Sequence, residues 1–181
     1  DQAVISFASS INMEVHISTQ TNITNLETIR FYSHFADVVV LSRELSLGQV
    51  KEMTSAINTQ QIKGPSGNLI QIEIFAHGAL CMAVSGKCYL SLHTTNSSAN
   101  RGACIQNCRK TYTVTDTEDG HQFEIDNEYI MSSKDLCIIG FLDQVLDTGI
   151  KILKIEGRGR SPDYVKTTTQ CYREATNTYL E

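Results

Sequence analysis

Hydrophobic residues recur along this chain at two spacings, one typical of β-strands and one typical of α-helices. Alternation with a period of two residues predicts strands over Glu14–Ser18 and Leu69–Phe75. The continuous apolar run Asp37–Leu41 is typical of a strand that is buried on both faces. Ile150–Ile155 predicts a further strand.

Helical spacing occupies the stretches between these strands. Leu26, Ile29 and Phe31 predict a helix over Asn25–Phe35, with Thr24 as its N-cap. The same reasoning predicts helices from Ser46 to Ile57, from Ser132 or Ser133 to Leu146 with a stop at Gly149, and from Ser161-Pro162-Asp163 onward.

The alternation is interrupted after the third strand. His77–Lys110 shows little periodicity and is rich in cysteine. Tyr112–Thr115 and Gln122–Ile125 flank Asp119-Gly120, a strong hairpin turn signal, and so predict a β-hairpin. The chain is therefore predicted to have three parts: a βαβαβ segment over 1–76, a cysteine-rich insertion with a hairpin over 77–131, and an αβα return over 132–181.

Strands that alternate with helices predict a parallel sheet and an α/β fold. Four βα units are half of an eight-fold TIM-like barrel, which needs about 250 residues. We therefore expect the C-terminal half of such a barrel, interrupted by the insertion. Because half a barrel has open strand edges, we expect an N-terminal half upstream in a longer chain, or a second copy that covers the edges.

Composition and charge narrow the function classes. The chain has 181 residues, of which 41% are hydrophobic and 19% charged, as in ordinary globular domains. The net charge of −5 argues against broad nonspecific binding to nucleic acid. No apolar run is long enough for a transmembrane helix, and neither a signal peptide nor an initiator Met is visible, so we expect a cytoplasmic fragment of a longer protein.

Four of the six cysteines lie within 28 residues, with the spacing C-x6-C-x15-C-x3-C. These are Cys81, Cys88, Cys104 and Cys108. Thiolates are soft ligands that suit iron–sulfur clusters and zinc, and the loose spacing favours a cluster over a single zinc ion. Disulfides and buried free thiols are the alternatives. The remaining two cysteines, Cys137 and Cys171, are predicted to lie on helices as core residues.

Polar residues at strand ends are candidates for chemistry, because TIM-type barrels place functional side chains there. His77 follows the third strand and is a candidate for proton transfer or substrate contact, or for a local structural role. Glu73, on that strand, is a candidate acid or base, or a structural partner of Lys or Arg. His16, within the first strand, is expected to be structural.

A second group of charged residues follows the other strands. Arg43 comes after the apolar strand, and Lys154, Glu156 and Arg158 alternate along the fourth, which predicts that these three share one face. Two arginines can clamp a carboxylate through paired hydrogen bonds, so the group is a candidate substrate site for a dicarboxylate. An internal Lys154–Glu156 ion pair is the structural alternative.

Several strings in order along the chain resemble the collagenase-like peptidase family. The strings are Ile74-Phe-Ala-His-Gly-Ala-Leu-Cys81, Ser85-Gly-Lys-Cys88-Tyr-Leu-Ser91, Asn100-Arg-Gly-Ala-Cys104, Ser132-Ser-Lys-Asp-Leu136 and Leu153-Lys-Ile-Glu-Gly-Arg158. The resemblance covers nearly the whole chain and implies a TIM-like domain.

The family implies two kinds of activity. Some members are regarded as collagenases, and others carry a 4Fe-4S cluster and support oxygen-independent hydroxylation of a tRNA wobble uridine, a ribosomal RNA cytidine or the ubiquinone ring. In the RNA branch prephenate is implicated as the oxygen donor. The cysteine quartet and Asn100-Arg101-Gly102 resemble the RNA-modifying members, whereas Cys108 argues against the ubiquinone branch.

The leading interpretation is thus an iron–sulfur enzyme acting on tRNA or ribosomal RNA together with a dicarboxylate such as prephenate. The first alternative is a collagenase-like endopeptidase, for which Cys81 and His77 form a conceivable pair; no His-Glu-x-x-His or Gly-x-Ser-x-Gly motif is present. The second alternative is a zinc-stapled binding module without catalysis.

Overall fold

The computed structural model describes residues 1–84, 87–125 and 134–181. It consists of two compact units. The sheet unit comprises Asp1–Gly78 and Leu136–Glu181, and the cysteine unit comprises Ala79–Asp135.

A mixed sheet forms the centre of the sheet unit. Its strands are β1 (His16–Ile17), β2 (Val38–Val40), β3 (Gln71–Gly78), β6 (Leu136–Cys137) and β7 (Ile152–Ile155). Parallel pairs join β1 to β2, β2 to β3, and β3 to β7, whereas β6 pairs antiparallel with the end of β3. The parallel strands lie in the order β1-β2-β3-β7, which is also their order along the chain. The structure thus has a mixed α/β sheet, and the predicted half-barrel stays a prediction.

Helices connect and cover these strands. In the sheet unit they are α1 (Gln2–Ser10), α2 (Leu26–Tyr32), α3 (Leu47–Gln60), α5 (Leu142–Leu146) and α6 (Pro162–Leu180). Within the described ranges, none combines the length and apolarity of a membrane-spanning helix.

The hydrophobic core lies around β2 and β3. All three valines of β2 are buried, which confirms the predicted strand with two covered faces. Ile72 and Ala76 of β3 and Ile29 of α2 are buried in the same core. Burial of each valine or isoleucine side chain stabilises the unit by about 1.5–3 kcal/mol.

Helix starts follow the predicted capping residues in two cases. The Ser46 hydroxyl accepts from the Gln49 amide while the Gln49 side chain accepts from the Ser46 amide, a capping box that begins α3. Ser161 caps α6, with Pro162 in the first turn. Both helices are confirmed, although α3 continues to Gln60.

Other predicted boundaries were wrong. Asn25, not Thr24, caps α2, and that helix ends at Tyr32 rather than at Phe35. The first strand is only two residues long. Helix α1 was not predicted; the Asp1 carboxylate caps it by accepting from the Ala3 amide at 2.8 Å.

The helix predicted over 132–146 is wrong in its first half, whereas residues 139–146 are helical as predicted. Ser132 and Ser133 lie outside the described residues, Leu136–Cys137 forms β6, and helical turns begin only at Ile139. The reason is tertiary: the Ile138 amide donates to the Ala76 carbonyl and to Tyr172 Oη, which holds this segment against β3. Cys137 is therefore on a strand, and both Cys137 and Cys171 are exposed rather than in the core.

The cysteine unit contains α4 (Leu90–Thr95) and the predicted hairpin, formed by β4 (Tyr112–Thr115) and β5 (Gln122–Ile125). The register pairs Tyr112 with Ile125 and Thr115 with Gln122, which confirms the turn at Asp119-Gly120. One short 3-10 turn, Ala99–Arg101, precedes Cys104, and a second, Asn107–Arg109, contains Cys108.

Candidate functional site

A buried carboxylate marks one face of the central sheet. Glu73 of β3 is 6% exposed. Its Oε1 lies 2.8 Å from Lys154 Nζ on β7, and its Oε2 lies 3.5 Å from His16 Nδ1 on β1. A carboxylate that is removed from water needs such partners, and each oxygen of Glu73 has one. His16, which was expected to be structural, is thus part of the polar cluster, and its side chain is 46% exposed.

Two cations flank the ring of Phe75 beside this cluster. Phe75 pairs with Lys154 in the β3–β7 register, and it shares a face with Glu73 two residues earlier. Lys154 Nζ lies 5.4 Å from the ring centroid, and Arg43 Cζ lies 5.9 Å from it on the loop after β2. The arrangement offers two positive charges around an aromatic surface, which suits a small apolar carboxylate.

Glu156 and Arg158 lie beyond the end of β7, so the predicted strand alternation does not reach them. β7 ends at Ile155, and Arg158 lies in the following turn. The Arg158 amide donates to Glu156 Oε1 at 2.9 Å, and the Glu156 amide donates to the His77 carbonyl at 2.8 Å. The alternative Lys154–Glu156 ion pair was also wrong, because Lys154 pairs with Glu73.

His77 points away from Glu73. The β3–β7 register shifts between Phe75 and His77, so that Phe75 opposes Lys154 while His77 opposes Ile155. Because Lys154 and Ile155 are consecutive and face opposite sides, this bulge turns His77 to the opposite face from Phe75. Glu73 and His77 therefore do not form one acid–base pair.

Two tyrosines of α6 hold the His77 ring. The ring centroids of Tyr164 and Tyr172 lie 5.8 and 5.7 Å from it. Tyr172 Oη donates to the Ala76 carbonyl at 2.8 Å, accepts from the Ile138 amide at 3.0 Å, and lies 3.5 Å from His77 Nδ1. Burial is the main cause that raises the pKa of Tyr172 to about 12. The phenol therefore stays protonated as a structural donor.

The four clustered cysteines all lie in the cysteine unit, and in the described structure none of them forms a disulfide. Cys81 and Cys104 are exposed, and Cys88 and Cys108 are half-buried. The Gln106 amide donates to Cys104 Sγ at 3.4 Å, and the Ser91 hydroxyl donates to the same sulfur at 3.9 Å. Hydrogen bonds of this kind are typical of thiolate ligands.

The donor set fits an iron–sulfur cluster in chemistry and number. Four thiols in one unit are what a 4Fe-4S cluster requires, and Cys104 already has two hydrogen-bond donors at its sulfur. In the described ranges, however, no three His, Cys, Asp or Glu side chains gather closely enough to hold a metal ion. The fit therefore rests on the ligand types and not on their present spacing.

Comparison with known proteins places this chain in a family. The model of Peptidase family U32 matches residues 1–181. The chain belongs to peptidase family U32. No solved structure gave a significant match.

Relatives of this U32 chain have two kinds of name. It is 56% identical over 179 residues to a collagenase from Porphyromonas gingivalis, which covers 99% of the chain and 43% of that protein. It is 38% identical to tRNA hydroxylation protein P1 from Bacillus subtilis, over 93% of the chain and 38% of that protein. It is 37% identical to a 23S rRNA 5-hydroxycytidine synthase from Escherichia coli, over 93% of the chain and 24% of that protein. The U32 chain thus spans less than half the length of each.

Some residues of the U32 site were not found from the sequence. Phe75 reads as a core residue in an apolar strand, although its position two residues after Glu73 places both on one face. Ser91 and Tyr172 become visible only through their tertiary contacts.

Proposed function

We propose that this U32 chain is part of an iron–sulfur enzyme that supports oxygen-independent hydroxylation of a pyrimidine in tRNA or ribosomal RNA in the cytoplasm. The supporting observation is the cysteine unit, where four thiols lie in one short segment and Cys104 Sγ accepts two hydrogen bonds. Relatives named for tRNA and rRNA hydroxylation support the same reaction class.

In this proposal Cys81, Cys88, Cys104 and Cys108 hold a 4Fe-4S cluster. The cluster supplies one-electron chemistry when bound. Zinc is the alternative occupant of the same thiols, and would make the unit a structural binding module. Additional residues of a longer chain complete the barrel.

The sheet unit binds the small co-substrate in this proposal. Arg43 and Lys154 attract the carboxylates of a dicarboxylate such as prephenate, and Phe75 contacts its ring. Glu73 holds Lys154 in place and is the candidate acid or base. His77 is held by tyrosines on the other face, which favours a positioning role over proton transfer.

Deletion of the gene in its own organism tests the proposed hydroxylation of RNA. Nucleosides from digested tRNA and ribosomal RNA are compared by mass spectrometry between the wild type and the deletion strain. We expect one hydroxylated pyrimidine to disappear, to return with the wild-type gene, and to stay absent with Cys104→Ala. An unchanged nucleoside profile would refute the proposed reaction.

A collagenase-like endopeptidase is the second candidate, because a relative that is 56% identical is named a collagenase. Cys81 is exposed and is the candidate nucleophile of that reaction. Gelatin cleavage by iron-free, rigorously purified protein, lost in Cys81→Ala but retained in Cys171→Ala, would support it. Absence of cleavage in the purified wild type would exclude it.

A further inference from the structure

Ser91 is a buried serine in the cysteine unit. It lies in the first turn of α4 and is 1% exposed. Its hydroxyl both accepts and donates a hydrogen bond. Oγ accepts from the Ile105 amide at 3.1 Å and donates to Cys104 Sγ at 3.9 Å. A buried hydroxyl is costly unless it makes such bonds, so its orientation is fixed by these two partners.

The loop that carries Cys104 is anchored to α4 at a second point. The Asn107 amide group donates to Thr94 Oγ1 at 2.5 Å and to the Leu90 carbonyl at 3.4 Å. Tyr112 Oη donates to the Asn107 carbonyl from β4. These hydrogen bonds restrain the backbone on the C-terminal side of Cys104, and they therefore help to fix the position of its sulfur.

Hydrogen bonds to a ligand sulfur affect more than its position. A reduced iron–sulfur cluster carries one more negative charge than an oxidised one, and that charge is shared with the sulfurs. A donor at sulfur therefore stabilises the reduced form and raises the reduction potential. Cys104 has two such donors, the Gln106 amide and the Ser91 hydroxyl, and only the hydroxyl belongs to a side chain.

We propose that Ser91 is a positioning residue that orients Cys104 and raises the reduction potential of the cluster through its O–H···S hydrogen bond. This inference rests on the proposed iron–sulfur function. It assigns a role to a serine that follows the motif Cys88-Tyr-Leu.

The test compares Ser91→Ala, Ser91→Thr and Ser97→Ala with the wild type, all as full-length protein purified without oxygen. Ser97 is the matched control, because its hydroxyl donates to the Thr95 carbonyl and not to sulfur. Iron and sulfide are counted, and the midpoint potential is measured by redox titration followed by electron paramagnetic resonance. We expect Ser91→Ala to keep its iron and to shift the midpoint to a more negative potential, with Ser91→Thr and Ser97→Ala close to the wild type.

The other outcomes separate this inference from the proposed function. Iron loss in Ser91→Ala with retention in Ser91→Thr supports the positioning role of the hydroxyl. An unchanged potential in iron-containing Ser91→Ala, or iron loss in both Ser91 variants, overturns the inference alone. A wild-type protein without iron overturns the proposed function and this inference together.

Discussion

Glu73 Oε1 of β3 lies 2.8 Å from Lys154 Nζ of β7, and this ion pair joins two strands that are 81 positions apart in the chain. The Glu73 side chain is almost fully buried, whereas the Lys154 side chain is 36% exposed. The ion pair therefore leaves the positive charge of Lys154 accessible beside Phe75, whereas the negative charge of Glu73 is buried. An anion bound there would share Lys154 with Glu73.

Removing the Lys154 ammonium leaves the buried Glu73 carboxylate with His16, 3.5 Å away, as an ion-pair partner. We expect Lys154→Met to lower the free energy of unfolding by about 1–3 kcal/mol, because the buried Glu73 Oε1 then loses its partner. Urea unfolding followed by circular dichroism measures this change. The double variant Glu73→Gln/Lys154→Met should lose less stability than the sum of the losses in the two single variants. A loss equal to that sum would contradict a direct ion pair.

Arg43 lies over Phe75 and is expected to bind a carboxylate. We expect Arg43→Gln to weaken prephenate binding about tenfold, the effect of losing one charge-assisted hydrogen bond. Isothermal titration calorimetry gives both dissociation constants. Lys63→Gln is the control, since this exposed lysine lies outside the site. Equal affinities of Arg43→Gln and the wild type would remove Arg43 from the site.

Tyr172 links protein stability to alkaline pH. Its folded-state pKa is raised from 10.0 to about 12, so the folded state favours the protonated phenol. That contribution is fully present below pH 10 and is lost as the pH rises from 10 to 12, by about 2–3 kcal/mol in all. Unfolding free energies measured from pH 9 to 12 should fall more steeply in the wild type than in Tyr172→Phe. Parallel curves would show that Tyr172 does not carry this dependence.

Gly78 ends β3 in a conformation that excludes a side chain. Its φ is +108°, and an added Cβ would overlap the Glu156 carbonyl oxygen. We expect Gly78→Ala to destabilise the protein by about 1–3 kcal/mol more than Gly67→Ala, which has a φ of +82° but open space around it. Thermal unfolding of both variants checks this difference. Equal melting temperatures would mean that the close approach to Glu156 is unimportant.

Local signals in the sequence predicted much of the sheet unit. Three of these signals depend only on residues that are close together in the chain. They are the apolar run that forms β2, the capping residue Ser46, and, in the cysteine unit, the hairpin turn at Asp119-Gly120. The strand at Leu136–Cys137 was missed because it pairs with the end of β3, and because the amide of the next residue, Ile138, donates to Ala76 and Tyr172, all far away in the chain. Such tertiary hydrogen bonds override a helical pattern.

The candidate site shows the same limit. The sequence predicted Glu73 and Lys154 as functional residues, with a structural Lys or Arg partner as the alternative role of Glu73. The structure confirms that Glu73 has such a partner, Lys154. The sequence could not show the bulge after Phe75, because one extra residue in a strand changes the face of His77 without changing the local pattern. The contact between Ser91 and Cys104 depends on chain folding over 13 residues and was also not predictable.

The central claim is that Cys81, Cys88, Cys104 and Cys108 hold an iron–sulfur cluster. The most direct measurement is the absorption spectrum of the full-length protein purified without oxygen, with iron and sulfide counted per chain. We predict a broad band near roughly 400 nm with about four irons and four sulfides, and its loss in the Cys104→Ala variant. A colourless protein that contains one zinc, or no metal, would contradict the account.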